Sequence, residues 1–309
     1  MTHYAVLIAA RLTSTRLPGK VLASYCTDGM TNLEQIVRRW QRSWRAPKII
    51  CAIPSDAEDA PIEALCRTID IPCYRGVRDD VVSRMNEALL AFAPDAKYIA
   101  RGMADSPLVD VGLADGRLDV LMDSGADGLW YNGDESRLTY AATTDVWSRA
   151  AWDRIAALSS GSQREHPGSY FWDNLNRFNV VSLNLPRREY VTSIRTELDT
   201  PEDLEMFRAL WREVLIFDYP ADQIIDTLRA LRMLNTHPEI AAINAYVQVK
   251  TQSRALWRKG SQWLCKACLR RVGAVISGDL EVRCARCGRP QKFYASPAAK
   301  RIKPSMMRA

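Results

Sequence analysis

The sequence predicts an α/β domain built on a mostly parallel, three-layer sheet of Rossmann-like type, followed by a small C-terminal metal-binding module. Three observations carry this prediction. From Tyr4 to Met103, short apolar runs alternate with amphipathic helical patterns, the signature of strands joined by crossover helices. The eight cysteines divide into a dispersed set (Cys26, Cys51, Cys66 and Cys73) and a compact C-x2-C-x15-C-x2-C set (Cys265, Cys268, Cys284 and Cys287). Charge divides at the same place: residues 250–309 carry 15 Lys and Arg against Asp279 and Glu281, whereas the preceding residues carry 27 against 34 acids. An acidic body with a basic tail points to a separate module that has an anionic partner.

The elements follow in order. "YAVLIAA" (4–10) is a continuous apolar run, as in a strand buried on both faces. "TNLEQIVRRWQRS" places Leu33, Ile36, Val37 and Trp40 on one helical face, with Thr31 or Asn32 at the cap. "PKIICAIP" reads as a second buried strand. "DAPIEALCRTI" reads as a helix that accepts Pro61 in its first turn. "IPCYRG" is a short strand, "DDVVSRMNEALLAF" a third helix and "AKYIARGM" a further strand leading into "ADSPLVD". The stretch from Asp110 to Asp199 reads as a long insertion with irregular structure and part of the pocket. Within it, "GADGLWYN" and "RFNVVSLNLP" are strands, and "TTDVWSRAAWDRIAAL" is a strand running into a helix. "SIRTELDT" is expected to be a strand. "PEDLEMFRALWREVL", "ADQIIDTLRALRML" and "PEIAAINAYVQVKT" are expected to be helices.

The loop "AARLTSTRLPGK" (9–20) follows the first strand and suits no core. Ligands of open α/β sheets bind beyond the carboxyl ends of the strands, so this is where a polyanion is held. Arg11, Arg16 and Lys20 supply charge, Ser14 and Thr15 supply hydroxyl donors, and Pro18-Gly19 makes the turn that presents Lys20. A solvated basic loop is the simpler alternative. The P-loop pattern is absent.

"ARLTSTRLPGKVL" resembles the signature of the cytidylyltransferases that activate acidic sugars, the 3-deoxy-manno-octulosonate and acylneuraminate enzymes and especially the spore-coat-polysaccharide type. The resemblance continues in order through "CAIPSDAEDAPIEALC", "CYRGVRDDVVSRM", "IARGMADSPLVD", "REHPGSYFW", "TELDTPEDLEMF" and "NTHPEIAAINAYVQ", covering residues 4–249. It implies a reaction in which CTP and a hydroxyl of an acidic or amino sugar give a CMP-sugar and pyrophosphate, in a homodimer, for surface polysaccharide or glycoconjugate synthesis. It also implies roles for particular residues. Arg11, Lys20 and Asp105 would be catalytic. Ser14, Thr15, Arg16 and Arg101 would join Arg11 and Lys20 on the nucleotide. Asp105 and Asp199 would ligate Mg²⁺, and Arg164, His166 and Tyr170 would face the sugar.

Several of these residues have a second reading. "DTPED" is also an ordinary helix start, with Asp199 or Thr200 as its cap. Asp105 can be a plain loop acid before Pro107. Arg101 can face a phosphate or a neighbouring carboxylate, and His166 can be a satisfied structural histidine. The chain departs from the family where Ala104-Asp105 stands in place of Gly-Asp. A required positive φ there would strain the alanine.

The four C-terminal cysteines have the spacing of a closed tetrahedral zinc ribbon, structural rather than catalytic, with two redox pairs or an iron site as the alternative. The expected organisation is a catalytic domain (1–249), a linker (250–259), the ribbon (260–294) and a basic tail (295–309). A hairpin is expected between "AVI" and "LEV", turning at Ser277-Gly278-Asp279. Its cations, interleaved with Trp257, Trp263, Phe293 and Tyr294, suit nucleic acid or an acidic protein surface. A fold retained only as a scaffold for such a partner is the alternative function. No run is long enough to span a membrane, and Arg11 interrupts the initial apolar stretch before a leader is complete. A cytoplasmic protein with reduced dispersed thiols is therefore the default.

Overall fold

The structure, a computed structural model, describes residues 3–26, 28–132, 144–184, 196–217, 224–236, 240, 256–259, 262–265, 280–283 and 290–293; side chains are described only up to residue 240. Two compact units divide the chain at Ile240.

The first unit is a seven-stranded sheet with helices on both faces. Its strands are β1 (Tyr4–Ala9), β2 (Lys48–Pro54), β3 (Cys73–Gly76), β4 (Tyr98–Met103), β5 (Gly128–Asn132), β6 (Val146–Ser148) and β7 (Val180–Asn184). They lie in the order β3-β2-β1-β4-β6-β5-β7, and only β6 runs antiparallel to its neighbours. β1 is central, with Leu7 opposite Ile50 on one side and Arg101 on the other. Alternation along β1 feeds two cores. Val6 and Ile8 pack with Leu33, Ile36 and Trp40 of α1 (Asn32–Trp40), Ile62 of α2 (Ala60–Thr68) and Leu118 and Leu121 of α4 (Val111–Ser124). Ala5 and Leu7 pack with Met85 and Leu89 of α3 (Val81–Phe92), Trp152 of α5 (Arg149–Leu158) and Phe171 of α6 (Ser169–Asp173). Gly102 permits the close approach of β4 to β1, because a Cβ there would stand 2.5 Å from Ile8 Cγ1.

The helix starts follow their capping chemistry. Thr31 Oγ1 accepts from Glu34 N, Asp80 Oδ1 from Ser83 N and Asp110 Oδ1 from Leu113 N. The expectation of an irregular insertion after Asp110 is corrected by α4, a regular 14-residue helix ended by Gly125 at φ +63°. Its buried face carries Asp115, which accepts from Ser43 Oγ at 2.7 Å, and Arg117, so apolar periodicity gave no signal. "SIRTELDT" is corrected too: residues 196–200 form no strand, and 193–195 lie outside the described residues. The Leu198 amide donates to the Asp105 carbonyl, and the next residues open α7 (Pro201–Phe217). α8 spans Thr227–Thr236, starting later than its apolar pattern suggests. The last expected helix lies, apart from Ile240, outside the described residues. Among those residues no helix is long and apolar enough to cross a membrane.

The second unit contains two antiparallel hairpins, β8 (Leu256–Lys259) with β9 (Gln262–Cys265) and β10 (Leu280–Arg283) with β11 (Pro290–Phe293). β8 occupies positions assigned above to a linker. "LEV" is a strand, but its partner is β11; "AVI" lies outside the described residues. So do Cys268, Cys284 and Cys287. Cys265 closes β9, and the other cysteine pair falls in the segment joining β10 to β11.

Candidate active site

The carboxyl ends of β1 and β4 open into a cleft of about 320 Å³. Arg11, Lys20, Arg101, Asp105, His166 and Asp199 are among its walls, together with Ser14, Thr15 and Arg16. Nine of the candidates chosen from sequence thus share one cavity, although Lys20 and Asp199 among them lie 179 residues apart in the chain.

The two carboxylates meet on one ammonium. Lys20 Nζ donates to Asp105 Oδ2 at 2.9 Å and to Asp199 Oδ1 at 2.7 Å, while Arg16 Nη2 reaches Asp199 Oδ2 at 2.5 Å. Burial by itself would lower the Lys20 pKa; the charges of Asp105 and Asp199 outweigh it and hold the ammonium above the usual lysine value. The backbone explains the convergence. Asp105 follows β4, Asp199 precedes α7, and the 2.8 Å hydrogen bond from the Leu198 amide to the Asp105 carbonyl ties the two segments together. The capping ambiguity is resolved as well. Asp203 N donates to Thr200 Oγ1, and Asp203 Oδ2 accepts from the amides of Asp199 and Thr200. Thr200 is the cap, and the Asp199 carboxylate faces the cations of the cleft.

Ala104 is not strained. Among the described non-glycine residues, only Ala46 and Asp70 have positive φ. Ala104 is buried and its carbonyl accepts from Asn32 Nδ2 at 2.8 Å.

The loop is held in shape from beneath. The amides of Ser14 and Gly19 donate to the Leu12 carbonyl, and Gly19 takes φ +72°. The Leu12 amide donates to the buried Asp59 Oδ1 at 2.7 Å, and Arg78 Nη1 donates to Thr13 Oγ1 at 2.6 Å. These supports fix which way Arg11, Arg16 and Lys20 point. Sequence reading missed Asp59 and Arg78, which sit in ordinary helix-start and loop contexts and give no signal until the fold brings them under the loop.

The other candidates are placed as follows. Arg11 pairs with Glu165 across the cleft mouth at 3.8 Å, both exposed. Arg101 faces a carboxylate: its Nη1 lies 3.5 Å from Asp145 Oδ2. Burial raises the Asp145 pKa, against the opposing effect of the Arg101 and Arg117 charges. Of the three sugar-side candidates, only His166 lines the cleft. Arg164 instead holds Asp80 Oδ2 through Nε at 2.8 Å and Nη2 at 2.6 Å, locking the start of α3. Tyr170 is 7% exposed, packs edge-on against Phe178 and accepts from Arg177 Nη1. Arg164 and Tyr170, expected on the sugar, thus stand outside the cleft lining, on the short 3-10 turn over Gly161–Arg164 and on helix α6.

A broader depression of about 430 Å³ lies at the opposite end of β4, between Pro94–Tyr98 and Arg149. Arg149 there is engaged by Asp153 and the Pro94 carbonyl.

Comparison with known proteins agrees with this geometry. The family model described as cytidylyltransferase matches residues 5–216. The spore coat polysaccharide biosynthesis protein SpsF of Bacillus subtilis is 28% identical over 218 residues, covering 69% of this chain and 88% of the relative. A 3-deoxy-manno-octulosonate cytidylyltransferase of Acidithiobacillus ferrooxidans is 30% identical, over 71% of this chain and 90% of the relative. Among solved structures, a cytidylyltransferase from Leptospira borgpetersenii superposes with a TM-score of 0.67 at 20% identity, covering 78% of this chain and 97% of the other.

Proposed function

Given that the chain belongs to the cytidylyltransferase family, and is accordingly a CTP-dependent nucleotidyltransferase, we propose that its acceptor is an acidic sugar and its product a CMP-sugar for polysaccharide synthesis. The observation that carries this reading is the meeting of Asp105 and Asp199 on Lys20 at the ends of β1 and β4. The named activity of the Acidithiobacillus relative supports the sugar class, and the name of the Bacillus relative supports a role in polysaccharide synthesis.

The two aspartates fit a divalent cation. They are hard oxygen donors at one point of the cleft, and they already enclose a positive charge. When bound there, Mg²⁺ would neutralise triphosphate oxygens and help the leaving pyrophosphate. The protein's own groups account for the rest. The loop amides and hydroxyls hold the triphosphate, and Arg16 and Lys20 absorb the charge that develops as the α-phosphorus is attacked. Placement of the sugar hydroxyl in line with that phosphorus converts the encounter into a positioned reaction. His166 and Arg11 also line the cleft, and Arg11, expected on the nucleotide, becomes available to a ligand anion once Glu165 is displaced.

A nucleotide screen by thermal shift tests the ligand assignment. CTP with Mg²⁺ raises the melting temperature, because it binds only the native state, and it does so more than ATP, GTP or UTP. Equal shifts from all four nucleotides would contradict selectivity for CTP.

The ribbon is proposed to be structural. Its cysteine spacing and the two hairpins that flank those cysteines support one zinc per chain. Every group assigned to the cleft precedes Ile240. Truncation after Lys250 therefore removes the zinc seen by elemental analysis and retains CTP binding. A truncated chain that stays folded yet no longer binds CTP would place the ribbon in the active assembly.

A further inference from the structure

Three of the four dispersed cysteines are not dispersed in the fold. Cys51 lies in the middle of β2, Cys73 opens the edge strand β3 as its direct register partner, and Cys66 comes from the last turn of α2, which covers this face. Their Sγ atoms all lie within 4.8 Å of one another. None is in a disulfide, and none lines the catalytic cleft. Cys51 and Cys66 are buried, while Cys73 is partly exposed and gives the cluster a route to solvent. Ile53, Ile62 and Ile71 belong to the apolar core around it.

A single buried thiol serves as a small apolar residue. Three thiols brought to one point from three separate elements make a donor set. Sulfurs bound to one ion at about 2.3 Å stand about 4 Å apart, so the trio needs to contract by less than about 1 Å to enclose one. No histidine or carboxylate completes the group among the described residues, so it lacks the fourth donor that tetrahedral zinc takes. Soft sulfur donors without a hard partner select a thiophilic closed-shell ion. Arg75, two residues beyond Cys73 on β3, is held by Glu63 at 2.7 Å, so the donor set rests on the three thiols themselves.

We propose that Cys51, Cys66 and Cys73 form a three-thiolate site for a thiophilic ion, with Cu(I) the ion of matching coordination. Binding replaces the three S–H protons, which leave to solvent, and no electron is transferred. The ion ties the end of α2 to the edge strand. The start of the same helix follows Asp59, which holds the nucleotide loop through Leu12.

The test is peptide-resolved alkylation of the full-length protein by iodoacetamide, under reducing, oxygen-free conditions after chelation. Cu(I) is expected to slow modification of Cys73 at least tenfold, Mg²⁺ is expected to leave it unchanged, and the Cys66→Ala variant is expected to lose the protection. Equal modification of Cys73 with and without Cu(I) would overturn the site, as would equal protection by Mg²⁺ or protection that persists in Cys66→Ala. The wild-type comparison decides the matter even where the variant fails to fold.

Discussion

Asp199→Ala and Asp105→Ala are each expected to lower CTP-dependent pyrophosphate release by about 10²–10³-fold, the scale on which one preorganised charge contact acts. The fold is expected to survive both changes. The cap of α7 uses Thr200 and Asp203 rather than the Asp199 carboxylate, and the tie between the two segments runs through backbone atoms of Leu198 and Asp105. Lys20 also keeps one carboxylate in either variant. Steady-state pyrophosphate release measured beside the melting curve separates the two effects. Full activity in both variants would remove these residues from the reaction, and a collapse of the melting temperature would make their role structural.

The second large effect concerns the cation between them. Lys20→Met removes a charge-assisted donor worth about 1.5–3 kcal/mol, so CTP affinity is expected to fall by about 10- to 100-fold. The same change frees Asp105 and Asp199 from a competing positive charge. Binding of free Mn²⁺ to the nucleotide-free protein, followed by its paramagnetic signal, is therefore expected to tighten. These opposite signs distinguish a lysine inside the ion site from one on its rim. Calorimetric titration of CTP into the variant checks the first half, and unchanged CTP affinity would show that the loop does not hold the triphosphate.

Much of this site was legible before the fold was known, because its chemistry is concentrated in segments with distinctive composition. Arg11, Arg16 and Lys20 occur in a loop that nothing apolar explains, and Asp105 and Asp199 stand at the edges of apolar patterns. Groups that act through tertiary contact left no such trace. Asp59 lies 47 residues from the amide it receives, and Arg78 lies 65 residues from Thr13. Asp145, which holds Arg101, sits just before a three-residue strand. Helix α4 was hidden because Asp115 and Arg117 occupy its buried face and break the period that sequence reading depends on. Arg164 and Tyr170, expected beside His166, are not among the residues lining the cleft. Their residue types suit a sugar, but local turns aim them at Asp80 and at the core. The cysteine trio was invisible because its members come from successive elements and share no spacing.

The most direct test of the central claim is mass-spectrometric identification of the product formed from CTP, Mg²⁺ and a panel of acceptors: 3-deoxy-manno-octulosonate, N-acetylneuraminate, an amino sugar and a neutral hexose. The predicted result is a CMP-sugar formed with one of the acidic sugars, stoichiometric with released pyrophosphate and absent in Asp105→Ala. Transfer to the neutral hexose alone, or product formation that persists in Asp105→Ala, would contradict it.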